Sequence, residues 1–187
     1  MARGLHECLI FHCAAALAGI KPASLVSCNR SDYPDFALEL RELNRRLNPK
    51  DIFFAPVCGC KKRVLLLVFR ARPFSLLLGK PEVAGYLRQE GYPVSLGINA
   101  VISHLRKRLA GSREFPHEVG VLLGYPVSDV TAFVRNKGAH SKLSGYWKVY
   151  SNEKAAAVLF GRYDRCREVL CKRLQKDKCL YILFGAA

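Results

Sequence analysis

Hydrophobic positions in this chain recur mostly at helical spacing. Over residues 5–18, Leu5, Leu9, Phe11, Ala15 and Leu17 are apolar and Gly19 ends the run, which predicts a helix followed by a turn. Lys21-Pro22 then opens an extended segment, because proline biases its predecessor away from helical backbone. Phe36, Leu40, Leu43 and Leu47 form an apolar stripe among Arg and Glu, so 32–47 reads as an amphipathic helix. The period then changes. Ile52–Val57 and Arg63–Arg70 read as strands of a hairpin joined by Cys58-Gly59-Cys60-Lys61-Lys62. Val64–Phe69 lacks polar alternation, which predicts a strand buried on both faces. Helical spacing returns at about 73–79, 81–89 and 96–109, with Gly91-Tyr92-Pro93 as a break. A long helix is expected over 153–174, and Cys179–Phe184 is expected to add a final strand. The inventory predicts an α+β fold: one helix-rich domain over 1–187, with a small sheet containing a central hairpin.

Residues 115–150 hold the densest set of turn and cap signals and the one tryptophan. Pro116 suits the first turn of a helix, where its missing N–H costs nothing, and Glu118 would sit near the positive helix end. Val119, Leu122 and Leu123 supply one apolar face, and Gly124 and Pro126 stop the helix. Ser128 or Asp129 is placed to cap a second helix with Val130, Phe133 and Val134 on its inner face, ending at Gly138. Trp147, Val149 and the flanking tyrosines read as a strand.

Three sets of residues carry a family resemblance. The first is Phe115-Pro116-His117-Glu118-Val119-Gly120, Leu123-Gly124-Tyr125-Pro126, Asp129-Val130, Gly138 and Gly145-x-Trp147-Lys148-Val149-Tyr150. The second is His12-Cys13 with Leu17-Ala18-Gly19-Ile20-Lys21-Pro22-Ala23-Ser24-Leu25, and the third is Phe160, Tyr163 and Cys166. In order and extent they resemble an uncharacterised bacterial family, domain of unknown function thirty-seven ninety-three. That family reads His-Cys-Ala-Pro-Thr where this chain has His12-Cys13-Ala14-Ala15-Ala16. The resemblance implies no activity, so the chemistry is argued from the residues.

Charge adds a second theme. Thirty Lys/Arg against fifteen Asp/Glu give +15 over 187 residues. Residues 61–111 hold ten Lys/Arg and two Glu, whereas 31–60 hold four basic and five acidic residues. Such a surface attracts polyanions, and its alternative reading is a solvated, salt-screened face. Half the residues are hydrophobic, which argues against disorder. No apolar run reaches the roughly 20 residues of a membrane helix. Arg3 followed by Cys8–Ile20 loosely resembles a leader peptide, but Glu7 and His12 interrupt it. Eight cysteines, without Cys-x-x-Cys or zinc-finger spacing, read as reduced thiols of a cytoplasmic protein.

Two pairs of residues carry candidate chemistry. His12-Cys13 offers a thiol. In the family pattern a proline two residues on would set the cysteine at a helix start, where a thiolate is stabilised. Ala15 at that position allows a continuous helix and a buried, inert Cys13. His117-Glu118 offers a base or ligand with an orienting carboxylate; Val121 excludes a His-Glu-x-x-His zinc site. The alternative for Glu118 is helix capping. Lys21, Lys148 and His12 are candidate holders of a small anionic ligand. Cys13, His117 and Glu118 are therefore the candidate catalytic set, acting on a small molecule or handling a metal or sulfur species. A nucleic-acid-binding module that uses the basic face weakly and without sequence preference is the second reading, and a scaffold without a site the third. No cofactor, metal identity or oligomeric state is legible.

Overall fold

A computed structural model describes residues 4–111, 114–177 and 179–185. The chain forms two compact units, residues 1–74 with 166–187, and residues 75–165. Arg3, the charged residue of the leader-like pattern, lies outside the described residues.

In the first unit, helix α1 (Leu5–Leu17) is apolar nearly all round, and nine of its residues are buried. It packs on a three-stranded antiparallel sheet of β1 (Ala23–Asn29), β2 (Ile52–Gly59) and β3 (Arg63–Arg70), in the order β1-β3-β2. β3 is central, so Val64, Leu66, Leu67, Val68 and Phe69 are buried, as their unbroken apolar run predicts. Pro56 falls on the edge strand β2, where a missing N–H breaks no interior ladder, and the register slips between Pro56 and Cys58. The Gly19 turn after α1 takes φ +75°, and Arg70 Nε donates to the free Leu17 carbonyl at 2.7 Å.

Helix α2 (Phe36–Leu47) buries the four positions of its predicted stripe. It begins four residues later than expected, after a 3-10 turn at Arg30–Asp32 and Pro34. Asn44 reaches from α2 to β2: its Nδ2 donates to the Phe54 carbonyl and its Oδ1 accepts the Phe54 N–H, both at 2.9 Å. One side-chain amide thus occupies part of an exposed strand edge.

The expected final strand is a helix. Leu180–Gly185 caps on a side chain of α1: His6 Nδ1 accepts the Leu180 N–H at 3.0 Å. Arg46 of α2 lies 4.4 Å above the Tyr181 ring. A short apolar run is compatible with either helix or strand, and here packing against α2 decides.

The second unit is helical. Helix α3 (Ala71–Leu78) runs into it, followed by α4 (Pro81–Gln89), α5 (Ile98–Gly111), a single turn α6 (Val119–Leu122) and α7 (Val127–Arg135). A two-stranded ribbon, β4 (Leu143–Ser144) with β5 (Lys148–Val149), precedes the long helix α8 (Glu153–Asp177); the C-terminal helix of the first unit is α9. Asp129 on α7 is 2 % exposed and ties these pieces together. Its carboxylate accepts from Trp147 Nε1 at 2.8 Å, the Tyr150 N–H at 2.9 Å and the Ser151 N–H at 2.8 Å. Burial alone would raise its pKa; these donors outweigh burial and hold it below the usual carboxylate value. Trp147 stacks on Tyr125 and meets Phe160 edge-on, and a Cβ on Gly145 would overlap the Phe160 ring.

Asp129→Ala leaves three donors unanswered and is expected to cost roughly 3 kcal/mol or more in urea unfolding. Asp129 stabilises fully above the unfolded carboxyl value of about 3.9, and this is lost as pH falls through its lower folded value. A loss below about 1 kcal/mol would show that the unit does not hang on this carboxylate.

His6 must be neutral to accept from Leu180. Burial lowers its pKa, opposed by the charge of Glu39, so the folded state binds the proton less readily than the unfolded chain. Its contribution is complete above about 6.5 and is lost as pH falls through the folded value. The hydrogen-exchange protection factor of Leu180 is therefore expected to drop on acidification to pH 5 in the native protein and to be pH-insensitive in His6→Phe.

Candidate functional site

The predicted site residues divide between the two units. His12, Cys13 and Lys21 belong to the first; His117, Glu118 and Lys148 to the second. On α1, His12 is exposed beside the Phe11 ring, whereas Cys13 is fully buried. Ala15 lets the helix run through, so Cys13 sits in its middle and not at an N-terminus. Burial pushes the Cys13 thiol far up, against the weaker pull of Lys21. The thiolate, which is the nucleophilic form, is therefore disfavoured. Lys21 is 5 % exposed, and burial lowers its amine to about 8, with Cys13 opposing. Cys28 and Tyr33 are also pushed up, Cys28 first by a hydrogen bond with Cys8 and Tyr33 first by burial. This interior favours neutral thiols. Lys148 donates from Nζ to the Gly138 carbonyl at 2.5 Å, tying the ribbon to the turn after α7.

His117 and Glu118 lie in a turn before α6 and diverge: His117 is exposed, Glu118 is 3 % exposed. Glu118 occupies the N-cap position, yet its side chain makes no capping bond. It turns inward instead, accepting from Arg108 Nε at 2.8 Å and the Tyr92 hydroxyl at 3.4 Å. The hydrogen bond and charge of Glu118 raise the Arg108 pKa, while burial and the same carboxylate raise that of Tyr92. Arg108 also lies 3.6 Å from Glu90, a half-exposed pair that solvent screens.

His117, Glu118 and Arg108 line a cleft of 520 Å³ within the second unit. Tyr86, Glu90 and Arg108 form one wall, and Thr131, Val134 and Arg135 of α7 the other. Glu114, Phe115, Pro116 and His117 complete it. Phe115 and Val134, 51 % and 46 % exposed, are large apolar side chains left open on this rim. Arg135 makes no ion pair among the described residues. A smaller cleft of 300 Å³ has Arg88 as its one charged lining residue among those described, and so offers less chemistry.

The family model described as a protein of unknown function (DUF3793) matches residues 9–183. The chain belongs to the DUF3793 family. No curated protein matches it, and no solved structure does. Among the described residues of this DUF3793 chain, no helix is long and apolar enough to cross a membrane, and no group of three His, Cys, Asp or Glu side chains is arranged to hold a metal ion.

The basic run 61–111 is also divided. Lys61, Lys62 and Arg63 stand on the β2–β3 turn of the first unit; Arg88 and Arg106–Arg108 belong to the second. Several cations serve internal bonds: Arg63 to Asn29, Arg70 to Leu17, Arg108 to Glu118. Tyr92 and Arg108 escape sequence reasoning as Glu118 partners because nothing local marks a tyrosine or a helix-end cation as the partner of a carboxylate elsewhere in the chain, and nothing local marks Arg135 as a cleft residue.

Thiol reactivity separates the cysteines of the DUF3793 chain. Cys60 is exposed, and the backbone N–H groups of Lys62 and then Arg63 lower its pKa, helped by the charges of Arg30 and Arg63. Brief treatment of reduced native protein with iodoacetamide is expected to alkylate Cys60 first and Cys13 only after denaturation, as read by peptide mass mapping. Early native alkylation of Cys13 would restore it as a nucleophile candidate.

Proposed function

We propose that the protein binds a small organic anion in the cleft walled by α4, α5 and α7. The observation that carries this reading is the meeting of Arg135, which makes no ion pair among the described residues, with the open apolar side chains of Phe115 and Val134 in a cleft that the buried Glu118 also lines. A few polar groups among apolar walls give a pocket orientation and specificity. Arg135 receives the anion, since a guanidinium presents paired donors to a carboxylate or phosphate. His117, on the same rim, offers an imidazole for a further hydrogen bond. Phe115 and Val134 cover the apolar body of the ligand. Glu118 is a positioning residue: held by Arg108 and Tyr92, it fixes the turn that carries His117 and Phe115.

The probe is 3-phenylpropanoate, an apolar ring with one carboxylate. In an NMR titration it is expected to shift amides of 115–118 and 131–135 saturably. Arg135→Gln should weaken binding about tenfold or more, the loss of one charge-assisted contact of roughly 1.5–3 kcal/mol. Absence of saturable shifts, or indifference to Arg135→Gln, would reject this site.

A further inference from the structure

The charges of the cleft do not balance for a simple anion. Among the described residues, its ionisable lining comprises Glu90, Glu114, Glu118, Arg108, Arg135 and His117, with Tyr86. Arg108 and Glu118 neutralise each other at 2.8 Å. Among the described lining residues that leaves Arg135 as the outward cation beside two carboxylates, Glu90 and Glu114. Glu90 is only loosely engaged, 3.6 Å from an Arg108 already committed to Glu118. Glu114 makes no ion pair among the described residues. The charge of Glu90 is felt locally: burial first, then the charges of Glu90 and of Glu118, raise the pKa of Tyr86.

We infer that the ligand of this cleft is zwitterionic: its anion lies on Arg135, its cationic group is received by Glu90 and Glu114, and an apolar body lies against Phe115 and Val134. The inference rests on the small-anion reading and adds the second charge. Attraction across a partly enclosed cleft exceeds that in bulk water, and a ligand carrying both signs satisfies both walls. An anion without a cation would lie beside the carboxylates of Glu90 and Glu114, and like charges brought together oppose binding. Tyr86 offers a hydroxyl beside Glu90 as a further acceptor for an ammonium group.

Three probes share one skeleton. Phenylalanine carries both charges, 3-phenylpropanoate lacks the ammonium group, and phenethylamine lacks the carboxylate. Titrated into the full chain and followed by NMR, phenylalanine is expected to bind about tenfold tighter than either single-charge probe. In the double variant Glu90→Gln, Glu114→Gln, whose fold is checked by circular dichroism, phenylalanine should fall to the affinity of 3-phenylpropanoate, which should itself not weaken. If 3-phenylpropanoate binds the native protein as tightly as phenylalanine, the zwitterion inference is overturned and the anion site stands. If none of the three binds, both are overturned.

Discussion

A carboxylate removed from water has to be answered by donors, and the second unit is organised around two such carboxylates. Asp129 collects the Trp147 indole and the backbone N–H groups of Tyr150 and Ser151, so α7, the ribbon and the segment that follows it cannot separate without orphaning a buried charge. Glu118 makes the same demand of Arg108 and Tyr92, which ties it to α5 and to the connection between α4 and α5. Between these anchors lies α7, with Asp129 facing in and Arg135 facing out. The buried carboxylate and the exposed cleft residues Thr131, Val134 and Arg135 therefore share one short helix.

The first unit follows a different logic, that of apolar burial on both faces of β3. α1 covers the sheet with a surface that is hydrophobic nearly all round, and the side chains it brings inside include Cys8 and Cys13. Such an interior stabilises neutral thiols. It also explains Arg70, whose guanidinium answers the free carbonyl at the end of α1, and Asn44, whose amide answers the free edge of β2. These polar residues complete backbone bonding at places where secondary structure alone leaves it open.

For the site, local sequence was a partial guide. His117 and Glu118 stand out as polar residues in apolar sequence, and both line the cleft. Their roles were not legible: capping and inward ion pairing look alike until a partner is known. Cys13 was ambiguous for a definite reason. Its neighbour Ala15 permits a continuous helix, and only packing of that helix on the sheet shows that the thiol is sealed.

By itself the sequence determined the α+β class, the hairpin with its doubly buried strand, the helical stripe of α2 and the turns at Gly19, Gly124 and Gly138. Each depends on periodicity or backbone preference within a few residues. Tertiary structure decided the rest. It made Leu180–Gly185 a helix, because an apolar run takes whichever form its neighbours can pack and His6 and α2 receive a helix. It paired Arg108 with Glu118, ten residues away, and Trp147 with Asp129, eighteen away. Such pairings carry no local signature, because a charge or indole is chemically the same whether it ends in water or against a buried partner. The burial that gives these contacts their strength exists only once the chain has folded.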